Sequence, residues 1–214
     1  MKINQSYRRR LPHAFAENHP IFFTWRLKFT LPDACLTEIK MRKTSFEHKI
    51  EKLSEEYKTM QRFQFSQKEF FWFDDLIANS EIFNRNILSD NELLIVKNAI
   101  HYENEKLYFL HAYCLMPNHV HILVTPFGKN NNNKDTIAEI THTLKRYSAR
   151  KINQLSNRKG SLWARESYDR IIRNEQELLR TTQYIINNPV KAGLVSKWEE
   201  WKYSWVAEDL IEIL

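Results

Sequence analysis

Two histidines flank a single valine in the stretch LMPNHVHILV, residues 115–124. The surrounding residues read as a β-strand, in which side chains alternate between faces. His119, His121 and Leu123 therefore share one face, and Val120, Ile122 and Val124 the other. The second set is what a sheet buries. The first sets two imidazoles side by side, near enough to bind one divalent ion. Two ligands do not complete a metal site, and an isolated His-x-His pair is more often two hydrogen-bonded histidines on a sheet surface. A third ligand has to come from elsewhere, and the candidates lie in the C-terminal third.

One such candidate segment is EQELLRTTQYIINNPV, residues 175–190. At about 100° per residue, Leu178, Leu179, Thr182, Ile185 and Ile186 fall within one sector of a helix. Tyr184 and Asn188 lie together on nearly the opposite side. On spacing alone Tyr184 is an ordinary, partly exposed tyrosine. Asn188 reads as a helix-terminating residue, because Pro189 disfavours helical backbone at the position before it. Two other tyrosines compete for attention. Tyr147 belongs to the apolar stripe of another helix and reads as core, and Tyr168 lies among Arg165, Arg170 and Arg173.

Between Lys145 and Arg180, ten Lys/Arg stand against four Asp/Glu, an excess equal to the +6 of the whole chain. Lys145, Arg146, Arg150, Arg165, Arg170 and Arg173 are interleaved with Trp163 and Tyr168. That mixture suits single-stranded nucleic acid, where cations track phosphates and rings stack on bases. A solvated charged face is the alternative.

The elements that must position these groups can be read around them. With 214 residues the chain is long enough for one sizeable core, so one domain with an elaboration is expected. Ile21–Leu31 is rich in aromatic and β-branched residues and stops at Pro32, as a strand does. About Asp33 to Glu81 turns helical and highly charged. Asp90 to Ile100 is a helix capped by Ser89 with Glu92. Lys106–Met116 and Val120–Thr125 are strands broken by Pro117-Asn118. Thr136 with Glu139 opens a helix with the stripe Ile137, Ile140, Leu144, Tyr147, Ile152 and Leu155. Ser161–Arg173 reads as a strand or an ordered loop. The last helix runs from Glu175 to about Asn188 and stops at Pro189. Arg8, Arg9 and Arg10 fall in a basic arm, Gly128–Asp135 in a polar turn, and Trp198, Trp201 and Trp205 in a tail that packs back onto the body.

Composition excludes several classes. No GxGxxG or Walker-type pattern exists, so nucleotide-driven chemistry is not indicated. Two cysteines, Cys35 and Cys114, make neither a disulfide framework nor a CxxC metal site. No segment reaches bilayer-spanning length, and the charged N-terminus has no apolar stretch behind it to make a signal peptide. A cytoplasmic protein with no membrane partner is expected. A pI near 9.2 permits a polyanionic partner.

Three stretches now stand in order: YCLMPNHVHILVTP, LWARESYDRIIR and YIINNPVKAGLV. Together they resemble the REP-associated tyrosine transposases, single-tyrosine HUH nucleases related to bacterial insertion-sequence transposases. The resemblance is strong over about Glu105–Val195 and extends weakly to Ile21–Leu31. It implies an α+β, ferredoxin-like sandwich with an antiparallel sheet. This sequence departs from the shorter members of the family in a helical insertion at about 33–81, within a single domain over 1–214 that ends in a Trp-rich tail over 196–214. The resemblance also implies that His119 and His121 hold a divalent cation (Mg or Mn), that Asn188 completes the metal site, and that Tyr184 is the nucleophile. The expected substrate is single-stranded or hairpin DNA, cut through a 5′-phosphotyrosine by a monomer or homodimer. Two other readings share the residues: a catalytically silent DNA-binding descendant, and a small-molecule hydrolase using the histidine-held metal.

Overall fold

The computed structural model describes residues 19–28, 31, 33–78, 87–127 and 136–213. The arm with Arg8, Arg9 and Arg10, the turn Gly128–Asp135 and the Thr136 side chain expected to cap a helix lie outside the described residues. The chain divides into two compact units, residues 29–86 and the remainder.

The smaller unit is the expected helical insertion. Helix α1 (Asp33–Ile50) and helix α2 (Glu55–Ala78) run antiparallel. Neither carries a clean apolar stripe, and specific pairs hold the hairpin instead. Phe46 stacks on Phe65 with centroids 3.9 Å apart. Arg42 reaches Glu69 at 2.8 Å, and Arg62 reaches Glu47 at 2.8 Å. The Arg42 guanidinium also lies 4.3 Å over the Trp72 ring.

The larger unit is built on a five-stranded sheet in the order β4-β1-β3-β2-β5. Its elements are β1 (Ile21–Leu27), α3 (Asp90–Glu103), β2 (Tyr108–Leu115), β3 (His119–Pro126), α4 (Thr136–Leu155), β4 (Trp163–Ile171), α5 (Glu175–Lys191), β5 (Ser204–Val206) and α6 (Glu208–Ile211). Every pairing is antiparallel. From β1 to β4, leaving the insertion aside, the succession is the β-α-β-β-α-β of the expected ferredoxin-like sandwich.

Strand alternation decides what each face holds. Val120, Ile122 and Val124 join Ile21, Phe23, Trp25 and Leu27 in the main core. Helices α3 and α4 cover that face with Leu93, Val96 and Ile100, and with Ile137, Ile140, Leu144 and Ile152. Ser89 caps α3 through the expected capping box with Glu92. Glu92 also accepts from Ser156 at 2.6 Å, tying α3 to the end of α4.

Four expectations need correction. Tyr147 and Leu155 are not core: they are 49% and 56% exposed. Ser148 turns inward where Tyr147 was expected, because it lies nearer the centre of the buried sector, and Leu155 is the last residue of its helix. Trp163 is not a surface ring. It is 4% exposed, lies edge-on to Trp25 and donates from Nε1 to Ser148 Oγ at 3.0 Å. The segment Ser161–Arg173, expected as a strand or an ordered loop, contains edge strand β4, paired to β1.

The fourth correction concerns Pro189, which does not stop α5; the helix runs through it to Lys191. A proline removes one N–H from the helix ladder, here the donor for the Ile185 carbonyl. The Asn188 amide contacts that oxygen at 3.5 Å while donating to Tyr184 O at 2.8 Å. The helix is closed instead just past its C-cap Ala192, at Gly193, whose φ of +68° suits glycine. Gly193 N–H donates to Val190 O and Leu194 N–H to Pro189 O, both at 2.9 Å, a Schellman closure.

The Trp-rich tail does pack back, and it adds a strand. Leu115 N–H donates to Tyr203 O at 2.9 Å, and Trp201 Nε1 donates to Leu115 O at 3.0 Å. Trp205 lies nearly parallel to Tyr113, with centroids 6.1 Å apart. Among the described residues, no helix is long and apolar enough to cross a membrane.

Candidate active site

The histidines sit at the start of β3, immediately after a two-residue turn. Met116 N–H donates to His119 O at 2.9 Å, closing the hairpin around Pro117-Asn118. Both imidazoles are fully buried on the sheet face opposite the main core. Their Nε2 atoms face each other at 3.0 Å.

Each ring is held from behind. His119 Nδ1 meets Asn118 Oδ1 at 2.6 Å, and His121 Nδ1 meets Thr24 Oγ1 at 2.7 Å. An amide oxygen only accepts, so Nδ1 of His119 carries the proton and its Nε2 presents a lone pair. A hydroxyl accepts or donates, so Thr24 accommodates either tautomer of His121. Outer partners that fix ring orientation in this way accompany metal-ligating histidines. Burial pushes the His121 pKa down to about 3; a hydrogen bond with Asn188 opposes this and the Lys191 charge adds to it. The neutral ring is the form that ligates metal.

This donor set fits a divalent cation. Neighbouring positions around an octahedral ion with ligands at about 2.1 Å lie about 3.0 Å apart, matching the observed Nε2 separation of 3.0 Å.

Helix α5 lies on this face of the sheet. Its N-cap is Asn174, whose side chain accepts from Glu177 N–H at 2.8 Å. Ile185 and Ile186 are buried, as the apolar sector required, along with Thr181 and Thr182. The expectation that Tyr184 and Asn188 lie nearly opposite that sector needs correction: the buried face of α5 is turned to take in Thr181 and Asn188, which leaves Tyr184 half-buried at its border. Its ring is edge-on to His121, centroids 5.9 Å apart, and to Phe22 at 6.2 Å. Phe22 in turn stacks on His121 at 5.7 Å. Asn188, one turn on, is buried and reaches His121. The two histidines, Tyr184 and Asn188 are therefore brought together.

A profile of the family described as "Transposase IS200 like" matches residues 77–188, just over half the chain. The chain belongs to the IS200-like transposases. All four of the residues just described fall within the matched span. Over 104 residues this IS200-like transposase is 28% identical to a Haemophilus influenzae protein named as a REP-associated tyrosine transposase. That match spans 46% of this chain and 59% of the relative, short of two thirds of the relative's length. A solved structure, a REP-associated tyrosine transposase bound to a REP hairpin, superposes with TM-score 0.50 at 16% identity, covering 93% of this chain and 81% of its own. At that identity the likeness concerns the fold.

The expected DNA-contacting residues lie on different elements: Lys145, Arg146 and Arg150 on α4, Trp163, Arg165 and Arg170 on β4, and Arg173 between β4 and α5. Arg146, Arg150, Arg165 and Arg173 are exposed. Lys145 Nζ donates to Arg165 O at 3.3 Å. Arg170 is half-buried, bound to Thr181 Oγ1 at 3.0 Å and to Glu177 at 3.2 Å. Trp163, being core, drops out. Thr24 and Asn118 were not anticipated. Asn118 adjoins the histidine motif, and its amide beside an imidazole was a readable signal. Thr24 was hidden, because only the β1–β3 register brings it opposite His121. Tyr168 pairs with Thr24 from the other side, so β4 sets a second tyrosine on the histidine face.

Proposed function

We propose that this IS200-like transposase is a metal-dependent endonuclease and strand transferase of single-stranded DNA, acting on hairpin-forming repeats through a covalent 5′-phosphotyrosine. The reading rests on one observation: the Tyr184 ring lies edge-on to His121, 5.9 Å away, on the face where two imidazole Nε2 atoms converge.

A divalent cation held by His119, His121 and Asn188 would polarise the scissile phosphate and offset charge on its oxygens. The chain's own residues do the rest. Thr24 and Asn118 fix the imidazole planes, and the packing of Phe22 against His121 and Tyr184 holds the phenol beside them. The Tyr184 oxygen attacks phosphorus, the bond from phosphorus to the 3′-oxygen breaks, and the proton lost by the phenol is balanced by one gained at the 3′-hydroxyl. The phosphodiester is exchanged rather than hydrolysed. A second strand's 3′-hydroxyl can therefore reverse the step and join new DNA without a nucleotide cofactor. Hairpin DNA as the substrate is supported by the solved relative, which is bound to a REP hairpin.

The test is incubation of end-labelled single-stranded DNA with Mn²⁺ or Mg²⁺. The fragment carrying the new 5′ end should remain on the protein through denaturing electrophoresis, and the other should leave with a free 3′-hydroxyl. Chelation should stop both. Metal-dependent hydrolysis with no protein-linked fragment would exclude a tyrosine intermediate.

A further inference from the structure

Of the basic segment Lys145–Arg180, only its last residue lines the surface around Tyr184, where Lys191 joins it. The outward face of α5 forms a shallow concavity lined by Arg180, Gln183, Tyr184, Asn187 and Lys191. These positions recur at three- and four-residue steps and so fall in a sector of roughly 100°. Arg180, Gln183, Asn187 and Lys191 are all exposed. The helix's acidic residues are not in this lining; they fall in the first turn, where Glu177 is engaged by Arg170. The fixed charge of the concavity is thus positive, on both sides of one phenol.

At about 1.5 Å of helix rise per residue, Arg180 lies about 6 Å before Tyr184 and Lys191 about 10 Å beyond it. That span suits a few consecutive phosphates of an extended strand with the attacked one between its ends. Lys191 is also near enough for His121 to sense its charge. The residues of α4 lack this relation, because α4 covers the other face of the sheet.

We propose that the outward face of α5 is a strand-tracking groove, in which Arg180 and Lys191 hold the DNA phosphates flanking the one attacked by Tyr184. The groove rests on the DNA-cleavage reading and names where the strand lies. Arg180 and Lys191 are positioning residues: they fix which phosphate reaches the phenol. Gln183 and Asn187 supply neutral hydrogen-bonding groups along the same path.

The test measures binding of labelled single-stranded DNA across a salt series, in a Tyr184→Phe background that blocks covalent capture. Adding Arg180→Gln with Lys191→Gln should weaken binding about tenfold at moderate salt. It should also reduce the slope of log K against log salt by about 1.4, roughly 0.7 for each lost phosphate contact. Arg180→Lys with Lys191→Arg should restore the slope, which a purely structural role would not require. If the double variant does not fold, Lys191→Gln alone decides, with an expected reduction of about 0.7. An unchanged slope overturns the groove, and if the tyrosine-containing protein still forms adduct, the cleavage reading survives. No adduct from the tyrosine-containing protein, with the slope reduced as expected, would leave the groove and overturn the cleavage reading. No DNA binding at all would overturn both.

Discussion

Helices α4 and α5 cover the same sheet from opposite sides, and both are amphipathic. Helix α4 lies over Val120, Ile122 and Val124, and its outward face carries Arg146, Tyr147 and Arg150. Helix α5 lies over the histidine side, and its outward face carries Arg180, Asn187 and Lys191 around Tyr184. Each therefore offers a tyrosine among cations. The difference lies beneath them. Under α4 the alternation of β3 presents hydrocarbon, and Tyr147, on the far side of the helix, faces solvent. Under α5 it presents two imidazoles whose Nε2 atoms converge at 3.0 Å. A basic helix with a tyrosine becomes a candidate catalytic element through the sheet face it covers, and local charge density is a poor guide to which one it is.

Exchanging the two tyrosines for phenylalanine puts that contrast at most risk. Tyr184→Phe should lower adduct formation by about 10³-fold or more, whereas Tyr147→Phe should leave it within about twofold, both read on denaturing gels. Adduct surviving Tyr184→Phe but lost in Tyr168→Phe would move the nucleophile to β4. The next largest effect concerns the α4 side. Trp163→Ala should cost about 3–4 kcal/mol of stability in denaturant titration, because the indole fills the main core and its N–H satisfies Ser148. If Trp163→Ala were stable but bound DNA poorly, Trp163 would be a base-stacking ring after all. The smallest effect concerns the histidine side. Thr24→Val removes the hydroxyl behind His121 and should raise the metal concentration needed for half-maximal adduct about 10- to 100-fold. The rate at saturating metal should be largely kept; an unchanged metal requirement would mean that Thr24 does not orient the ring.

Much of this site was legible in local patterns. The period-two alternation through residues 119–124 assigned the histidines to one face, and the Ser89–Glu92 box marked the start of α3. The spacing that put Tyr184 and Asn188 nearly opposite the apolar sector of α5 was right only in keeping the two together, because Asn188 is buried against the histidine face. These features need only a strand or a helix to be true. What was misread depended on competition between local rules. Pro189 is a breaker by propensity, yet the Asn188 side chain and the Gly193 closure carry the helix past it. Trp163 has basic neighbours in sequence, yet its neighbours in space are Trp25 and Ser148. The tail's tryptophans gave no sign of β5, because a three-residue strand has too little pattern of its own and exists only through pairing with β2.

The sequence by itself determined which side chains share a face of β3 and that Tyr184 and Asn188 lie one turn apart on α5, since both follow from the period of a single element. Only the tertiary structure decided that the two meet. The pairing of Thr24 with His121 spans 97 residues of chain, and the edge-on approach of Tyr184 depends on which side of the sheet α5 covers. Backbone periodicity is a local property of the chain; which face a helix covers is set by how all the apolar surfaces are buried together.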